Sequence, residues 1–349
     1  MMKVLLQGGL GNQMFQYAFA RALAHRGFDI ALDASWGYTK RPNIRAITKN
    51  AKLIAPATAH EQIGGGGSKY SLDSSALNSS PHTRNLELTR FQISLPILHH
   101  ECNSWLDYYS CIYHKVWQRL LRRNKPYARA IYALIHTRDS AKLEQDFHAH
   151  RRFHQYKYFE GFFTNLCYFA QIDSILRKEF TPCHMRESTK TLQAQIKRTS
   201  NSVFLHIRRG DYLQAENWEY VKAGSAYYNG ALRLITSYLH RPVVFVFSDD
   251  LAWCRENLLS LLDSRLCEKA EFVFMGNDDE SNATDDLALM ASCEHAIIAN
   301  STFSFWAAYL IANPDKIVCV PSAYLWNGAM PKCYPQSWHK LDVHWGQKA

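Results

Sequence analysis

Short apolar runs alternate with segments of helical periodicity at both ends of the chain. Near the start, residues 3–6 have the length and apolar character of a buried strand. Residues 8–11 then turn into a helical segment that ends at Gly27, and residues 30–33 begin a second strand. The apolar face of this helix contains Phe15, Ala18, Phe19, Ala22 and Leu23. The alternation predicts a βαβ unit with a parallel sheet.

The second half of the chain repeats this alternation. Five β-branched or aromatic runs of strand length lie at residues 203–207, 243–247, 272–274, 296–298 and 317–320. Helical patterns lie between them, with Leu232, Ile235 and Leu239 on one face, and Trp253, Leu258, Leu261 and Leu262 on another. Runs that are apolar throughout are typical of strands buried on both faces of a parallel sheet. We therefore predict an α/β protein with a Rossmann-like second half.

The middle of the chain, residues 38–154, has a different composition. The run 64–68 reads Gly-Gly-Gly-Gly-Ser, which is typical of a flexible linker. Residues 115–152 carry ten Lys or Arg against three acidic residues. This basic segment is interpreted either as a solvated face or as a contact with an anionic membrane surface or glycan. We expect two domains, residues 1–160 with this irregular basic insertion and residues 161–349.

Composition and charge narrow the classes of function. The 349 residues carry a formal net charge of +9, which favours partners with phosphate or carboxylate groups. The nine cysteines include no C-x-x-C pair, which argues against a disulfide framework or zinc ribbon and favours a reducing compartment. No signal-peptide pattern is present, and the most apolar segment, residues 303–312, is shorter than the roughly 20 residues that cross a bilayer. We expect a cytoplasmic protein.

The turn before the first helix has a pattern that can bind anions. Its sequence is Gly8-Gly9-Leu10-Gly11-Asn12-Gln13. Glycines let the backbone approach a ligand closely, and the positive end of the following helix attracts negative charge. The pattern departs from the dinucleotide fingerprint, because Met14 stands where the third glycine is expected. An equally good interpretation is a tight turn in which Asn12 and Gln13 cap the helix.

A second polar cluster directly follows the first strand of the second half. His206 and Arg208 are predicted on one side of this strand and Ile207 on the other. Ligands of open α/β sheets bind at the carboxyl ends of strands, where an Arg can hold two phosphate oxygens in its planar fork. Asp211 is close enough to pair with Arg209 or to accept a proton. A pair that only anchors the loop is disfavoured, because two crowded arginines repel each other unless an anion binds.

Two further polar regions are candidates for ligand binding. Asp249 follows another predicted strand, where it either binds a ligand or helps to cap the next helix. Asp286 lies in a predicted helix that precedes a short strand. After that strand, Ser301 or Thr302 is expected to be the N-cap of the last helix, whose free N–H groups can bind a diphosphate. A phosphate bound there would meet Arg208 from a neighbouring strand.

The sequence contains no motif typical of a metal site, of a nucleophilic hydrolase or of a P-loop kinase. None of the 16 histidines joins Cys, Asp or Glu at a recognised metal-ligand spacing, so we expect no metal site. The chain contains neither a G-x-S-x-G nucleophile elbow nor a G-x-x-x-x-G-K-[ST] phosphate loop. The α/β-hydrolase and P-loop kinase classes are therefore excluded.

Taken together, these motifs resemble the α-1,2-fucosyltransferase family and the wider group of GDP-fucose-dependent transferases. The resemblance rests on residues 8–18 (GGLGNQMFQYA), residues 206–212 (HIRRGDY), and Asp286 with residues 300–308 (NSTFSFWAA). Residues 158–163 give a weaker similarity. The matches occur in family order at both ends and in the centre, whereas residues 38–154 match nothing recognisable. Phe305 departs from the family pattern, in which Trp is common.

The resemblance implies a GT-B fold, in which two Rossmann-like lobes face each other across a donor cleft. It also implies roles for residues of the second lobe. Arg208 would bind the β-phosphate of GDP-fucose, and Ser301 and Thr302 would contact the same diphosphate. Asp286 would hold the guanine, and His206 would line the same pocket.

The resemblance further implies the reaction. Gly9, Gly11 and Asn12 would face the donor across the cleft and help to place fucose or the acceptor hydroxyl. L-fucose would pass with inversion to the 2-hydroxyl of a terminal galactose. The phosphate-binding arginine and the helix start can stabilise the departing GDP without a divalent metal or other cofactor. Asp211 is the preferred general base and Glu216 the alternative.

Other functions stay open on the sequence alone. The glycine turn, with Asp33 at the end of the next strand, is compatible with an NAD(P)-dependent oxidoreductase. A non-catalytic module for anionic glycan or nucleic acid is disfavoured, because the aromatic residues of the basic segment are expected to be buried. A fucosyltransferase of different linkage is a further alternative. The preferred partners are GDP-fucose and a galactose-terminated oligosaccharide of a bacterial surface glycan, with peripheral inner-membrane contact through the basic segment.

Overall fold

Two parallel β-sheets form the framework of the protein. The computed structural model describes residues 1–34, 86–98, 136–149, 153, 156–210, 223–276, 282–323 and 332–342. Within these residues the first sheet has five strands and the second has six. The predicted α/β architecture with two Rossmann-like lobes is therefore confirmed.

The first sheet comes from the amino-terminal part of the chain. Its strands are β1 (Met2–Leu5), β2 (Ile30–Asp33), β3 (Ile97–Leu98), β4 (His136–Arg138) and β5 (Tyr158–Glu160). They lie in the order β3-β2-β1-β5-β4, and each pair of neighbours is parallel. The two longest, β1 and β2, match the predicted strands. The other three have only two or three residues, which is too short for a recognisable apolar pattern.

The second sheet has the strand order of a doubly wound fold. Its strands are β6 (Ser202–Ile207), β7 (Val243–Ser248), β8 (Glu271–Phe274), β9 (His295–Ile297), β10 (Val318–Pro321) and β11 (His339–Leu341). They lie in the order β11-β10-β9-β6-β7-β8, all parallel. The chain therefore winds from β6 to one edge, returns to β9 and winds to the other edge. All five predicted strands are confirmed within one residue at each end, and β11 is additional.

Helices are distributed between and around the strands. The described residues form α1 (Leu10–His25), α2 (Ala141–His148), α3 (Asp173–Glu179), α4 (Glu187–Arg198), α5 (Ser225–Tyr238), α6 (Leu251–Leu261), α7 (Ser264–Cys267), α8 (Ala283–Met290) and α9 (Thr302–Leu310). In the described part of the chain, none of them is long and apolar enough to cross a membrane. The predicted apolar face of α6 is wrong at Leu261, which is 46% exposed, whereas Leu258 and Leu262 are buried.

The helices α1 and α9 join the two lobes. Phe15 of α1 stacks on Phe305 of α9 with 4.9 Å between ring centroids, and it contacts Trp306 at the same distance. The indole N–H of Trp306 donates a hydrogen bond to the Gly11 carbonyl oxygen at 3.1 Å. Phe305 is 1% exposed, so the departure from the family pattern falls on a core residue that keeps its aromatic contacts.

Much of the middle region lies outside the described residues. This applies to the run 64–68 and to most of the basic segment 115–152, of which residues 136–149 are described. The strands of the first sheet come from residues 2–160, and those of the second sheet from residues 202–341. The proposed division at residue 160 stays a prediction.

Candidate functional site

The second sheet has a switch point between β6 and β9. These two strands are neighbours, with Leu205 opposite Ile297, but the chain winds away from them in opposite directions. The loops that follow them therefore diverge and leave a crevice at the carboxyl ends of the strands. Arg208 follows β6, and Ser301 lies between β9 and α9. The two predicted anion-binding elements thus lie at the same edge of the sheet.

Asp249 holds the Arg208 guanidinium. Nη1 of Arg208 lies 3.0 Å from Oδ2 of Asp249. The same carboxylate accepts hydrogen bonds from the backbone N–H groups of Arg209, at 2.9 Å, and Gly210, at 3.0 Å. Asp249 therefore fixes the loop after β6 and orients the arginine. Because the ion pair is partly exposed, an incoming phosphate can compete for the guanidinium. Direct contact between Asp249 and the donor stays a prediction.

Asp250, and not Asp249, caps α6. The carboxylate of Asp250 accepts a hydrogen bond from the backbone N–H of Trp253 at 3.3 Å. It also pairs with Arg209, whose Nε lies 3.0 Å away. The Arg209 guanidinium stacks over the Trp253 ring at 3.4 Å from its centroid. Each of the two arginines therefore has its own carboxylate, so the argument that they repel each other unless an anion binds is wrong.

His206 lies inside the protein beside the Arg208 loop. It is buried, and its ring centroid is 5.8 Å from that of Phe303 in α9. Burial and, to a smaller extent, the charge of Arg208 lower the pKa of its imidazole to about 3. Among the described residues, its Nδ1 atom has no hydrogen-bond partner. His206 is therefore neutral at physiological pH, and it suits the predicted role of lining the donor pocket as an uncharged hydrogen-bonding group.

The start of α9 meets the glycine turn of the first lobe. Ser301 is the N-cap, as predicted, and its hydroxyl accepts a hydrogen bond from the backbone N–H of Phe303 at 3.3 Å. The Thr302 hydroxyl donates to Oδ1 of Asn12 at 2.9 Å. One hydrogen bond thus joins two motifs that are 290 residues apart in sequence. The positive end of α9 lies at this junction.

The glycines of the turn permit this close approach. A Cβ atom on Gly11 would lie 2.4 Å from the backbone nitrogen of Phe303 and 2.5 Å from the carbonyl carbon of Thr302. Gly9 is the N-cap of α1, and its carbonyl oxygen accepts from the backbone N–H of Asn12 at 3.0 Å. Gly11 is therefore required by packing between the lobes. Direct contacts of Gly9, Gly11 and Asn12 with the donor stay predictions.

The interpretation of Asn12 and Gln13 as helix caps is wrong. The N-cap of α1 has no side-chain hydrogen bond. Gln13 is instead buried, where it donates to the Gly8 carbonyl oxygen and accepts from the backbone N–H of Leu88. Gln16, which belongs to the motif 8–18 but has no role predicted from the sequence, donates to the Gly161 carbonyl oxygen at 3.0 Å. These glutamines satisfy buried backbone groups and so hold the turn in place.

Asp286 lies in the first turn of α8, next to a second carboxylate. That neighbour, Asp285, is buried and bound to Nε of Arg186 at 2.8 Å and to the Thr189 hydroxyl at 3.0 Å. Burial and, to a smaller extent, the charge of Asp285 raise the pKa of Asp286 to about 6, against a lowering by the charge of Arg186. Asp285 thus anchors α8 to α4, whereas Asp286 is the carboxylate whose charge changes near neutral pH. Guanine binding by Asp286 stays a prediction.

Both candidates for the general base, Asp211 and Glu216, lie outside the described residues. Their assignment stays a prediction.

Two solved structures show distant similarity. An Arabidopsis thaliana FUT1 mutant in complex with GDP gives a TM-score of 0.46 at 10% identity, over 98% of this chain and 76% of that one. E. coli ADP-heptose lps heptosyltransferase II gives 0.38 at 10% identity, over 98% and 90%. Similarity at these TM-scores is too distant to support conclusions about the site.

Sequence relatives give a closer match over part of the chain. Galactoside alpha-(1,2)-fucosyltransferase 1 of Saimiri sciureus is 34% identical over 180 residues, which are 49% of this chain and 45% of that protein. The protein of the same name from Oryctolagus cuniculus is 32% identical over 182 residues, 50% and 45% of the two chains. The match thus spans less than half the length of these relatives.

The family profile covers nearly the whole chain. The profile described as glycosyl transferase family 11 matches residues 1–328. This span includes the glycine turn, the loop after β6 and the start of α9, so all three motifs belong to one match. The span also includes both the glycine turn and Asp33, on which the alternative of an NAD(P)-dependent oxidoreductase rested, so that alternative loses its support. The chain belongs to glycosyl transferase family 11.

Proposed function

We propose that this protein is an inverting fucosyltransferase, which transfers L-fucose from GDP-fucose to the 2-hydroxyl of a terminal galactose. The observation that carries the proposal is the convergence of Arg208 and the N-terminus of α9 at the switch point of the second sheet. Family membership and the names of the relatives support the choice of donor and linkage.

Arg208 and α9 would supply the electrostatics of the reaction. Negative charge grows on the β-phosphate as the bond from fucose to GDP breaks. A guanidinium can hold two phosphate oxygens, while the free N–H groups near Ser301 and Thr302 add the positive end of a helix. Stabilisation of developing charge by such preorganised groups contributes several kcal/mol. In this arrangement GDP departs without a divalent metal.

The guanine and the fucose of the donor, which flank the diphosphate, would be bound by other residues. The Asp286 carboxylate would accept hydrogen bonds from guanine, and the neutral His206 would line the pocket near Arg208. Asn12 would face fucose or the acceptor from the first lobe, because it is already bound to Thr302. Gly9 and Gly11 would let the first-lobe backbone approach the sugar.

The acceptor hydroxyl would attack the anomeric carbon from the face opposite GDP. The new C–O bond forms as the bond to the β-phosphate oxygen breaks, and GDP leaves with the bonding electrons. A β-linked donor therefore gives an α-linked product. A general base must take the proton of the attacking hydroxyl, and we assign this role to Asp211 with Glu216 as the alternative.

Asp211→Asn tests the base. We expect loss of transfer with a GDP dissociation constant within a few-fold of wild type, because the variant removes a proton acceptor and not a phosphate contact. Glu216→Gln is the matched control, with activity close to wild type. Unchanged turnover in Asp211→Asn would eliminate it as the base, and loss of turnover only in Glu216→Gln would exchange the two roles.

Incubation with GDP-fucose, lactose and EDTA tests the reaction. We expect release of GDP and a trisaccharide whose NMR spectrum shows α-L-fucose on the galactose 2-oxygen. A different linkage would support the alternative fucosyltransferase activity. Calorimetric binding of NADH with no binding of GDP would contradict the proposal altogether.

We also propose a cytoplasmic enzyme that acts on a bacterial surface glycan. The absence of C-x-x-C pairs among the nine cysteines supports a reducing compartment. Peripheral contact with the inner membrane through the basic segment 115–152 is the associated hypothesis. Binding of the full chain to anionic and to neutral vesicles would test it, and equal absence of binding to both would contradict it.

A further inference from the structure

Three side chains with metal-binding groups converge beside α2, on elements other than those that carry the donor site. Glu144 and His148 lie four residues apart on α2, so they share one face of the helix. Cys167 lies opposite them, in the short 3-10 helix Leu166–Tyr168. One carboxylate oxygen, one imidazole nitrogen and the thiol sulfur all lie within 4.8 Å of one another.

The chemistry of these groups favours one class of metal ion. Thiolate and imidazole ligands select borderline ions such as Zn²⁺, whereas Mg²⁺ and Ca²⁺ prefer sites made of oxygen ligands. Zinc accepts sulfur, nitrogen and carboxylate oxygen together at about 2.0–2.3 Å in a tetrahedral arrangement. The ligand atoms lie up to 4.8 Å from one another, so binding of one ion would require the side chains to rotate towards a common centre. Three protein ligands leave a fourth position for water.

Lys332 competes for the same carboxylate. Its Nζ atom lies 2.7 Å from Oε2 of Glu144, and both side chains reach solvent. Lys332 also connects this place to the segment after β10, because its carbonyl oxygen accepts from the backbone N–H of Leu166 at 3.2 Å. An exposed ion pair is weak, so a metal ion with two further ligands can displace the ammonium group. The cluster therefore has a built-in competitor.

We propose that Glu144, His148 and Cys167 bind one divalent ion of the zinc class, and that binding displaces Lys332 from Glu144. The ion would tie α2 to the 3-10 helix and would release the side chain of Lys332 at the place where its segment meets the first lobe. The sequence alone does not reveal this site, because the third ligand comes from a separate element at an unfamiliar spacing. The proposal is independent of the proposed transfer reaction.

Cobalt titration of the reduced full-length protein tests the site. Co²⁺ is a spectroscopic substitute for Zn²⁺, and coordination by a thiolate gives a charge-transfer absorption band. We expect this band to saturate at one equivalent and to disappear when Zn²⁺ is added. Cys167→Ser should abolish it, whereas Cys183→Ser, which changes an exposed cysteine outside the cluster, should leave it unchanged.

Two further variants test the other ligands without disturbing the core. His148 is exposed, so His148→Ala should fold normally and weaken Co²⁺ binding at least tenfold. Lys332→Met should strengthen binding several-fold, because it removes the competitor. Lys190→Met removes another exposed Lys–Glu pair, Lys190–Glu187, and should leave binding unchanged.

Several outcomes would overturn the proposal. These are absence of a thiolate band in the wild-type protein, persistence of the band in Cys167→Ser, or full-strength binding in His148→Ala. Equal Co²⁺ affinities of the wild-type protein and Lys332→Met would contradict the part of the proposal in which Lys332 competes with the metal ion for Glu144. Since fucosyl transfer is not the readout, these results are distinguishable from a failure of the proposed function.

Discussion

The turn before α1 and the loop after β6 occupy equivalent places in the two lobes, but they use their polar groups differently. The turn before α1 follows β1, the central strand of the first sheet. The loop after β6 follows the strand at which the winding of the second sheet changes direction. In the turn before α1, Gln13 and the Gly11 carbonyl oxygen are bound within the protein. In the loop after β6, Arg208 makes a partly exposed ion pair with Asp249. The first region serves packing between the lobes, whereas the second leaves a guanidinium in a partly exposed ion pair.

This difference shows why a glycine-rich strand-to-helix turn is weak evidence for a phosphate site. Gly11 is explained by the backbone of α9, which lies where a Cβ atom would be. Arg208 is better evidence, because phosphate can replace its partly exposed carboxylate partner, whereas Arg209 is paired with Asp250 and also stacked on Trp253. Five predictions follow, for the loop after β6, for the contact between the lobes and for Asp286 on α8.

Arg208→Lys should have the largest effect on activity. A lysine keeps the charge but cannot hold two phosphate oxygens in one plane, so we expect kcat to fall about 100-fold with little change in melting temperature. Arg209→Lys is the control, with kcat within a few-fold of wild type, because Arg209 is held by Asp250 and Trp253. Similar losses in both variants would end the distinction between the two arginines.

Gly11→Ala should have the largest effect on stability. The added methyl group would lie 2.4 Å from the Phe303 backbone nitrogen, and such overpacking costs roughly 2 kcal/mol of unfolding free energy. Gly230→Ala, inside α5 with no atom near its added methyl group, should instead raise stability by about 0.5–1 kcal/mol. Urea denaturation measures both. An unaffected Gly11→Ala protein would show that the lobes are not in close contact there.

Asp286 should make GDP binding depend on pH. Its pKa of about 6 means that the carboxylate is ionised above pH 6 and neutral below it. Guanine N–H groups need the ionised acceptor, so GDP affinity should fall about tenfold per pH unit below 6. Asp286→Asn should make this dependence shallower when measured by calorimetry between pH 5 and 8, and the part that is left belongs to the terminal phosphate of GDP, whose second pKa is about 6. A wild-type affinity that does not change with pH would exclude Asp286 from guanine binding.

The same carboxyl group should influence stability with the opposite sign. Folding raises the pKa of Asp286, so the folded protein favours the neutral carboxyl group. The stability that Asp286 contributes is therefore present at low pH and is lost as the pH rises through 6. Asp286→Asn should therefore raise the melting temperature at pH 8 and leave it nearly unchanged at pH 4. This control separates the cost of burial from any role in binding GDP.

Asn12→Ala should have the smallest effect. It removes one hydrogen bond, to the Thr302 hydroxyl, and we expect a loss of about 1 kcal/mol in unfolding free energy and a few-fold change in KM. A double-mutant cycle with Thr302→Val should give a coupling energy of about 1 kcal/mol. Additive effects of the two substitutions would mean that the bond does not connect the lobes.

Apolar strands were the easiest part of the fold to predict. The strands β6 and β10 are buried along their whole length, and such strands are recognisable as continuous apolar runs. In contrast, β3 has two residues, and its pairing with β2 is decided by chain that is distant in sequence. The candidate site followed the same rule. Arg208 and Ser301 were predicted together because both follow strands of one parallel sheet.

The sequence by itself determined the alternation of strands and helices, the two parallel sheets and the polar residues at their carboxyl ends, because these depend on local apolar patterns. Only the tertiary structure decided the use of each polar group. It paired Arg208 with Asp249, placed Asn12 against Thr302, and brought Cys167 to Glu144 and His148. Such pairings depend on which distant segments meet, and residue type and spacing along the chain do not specify that.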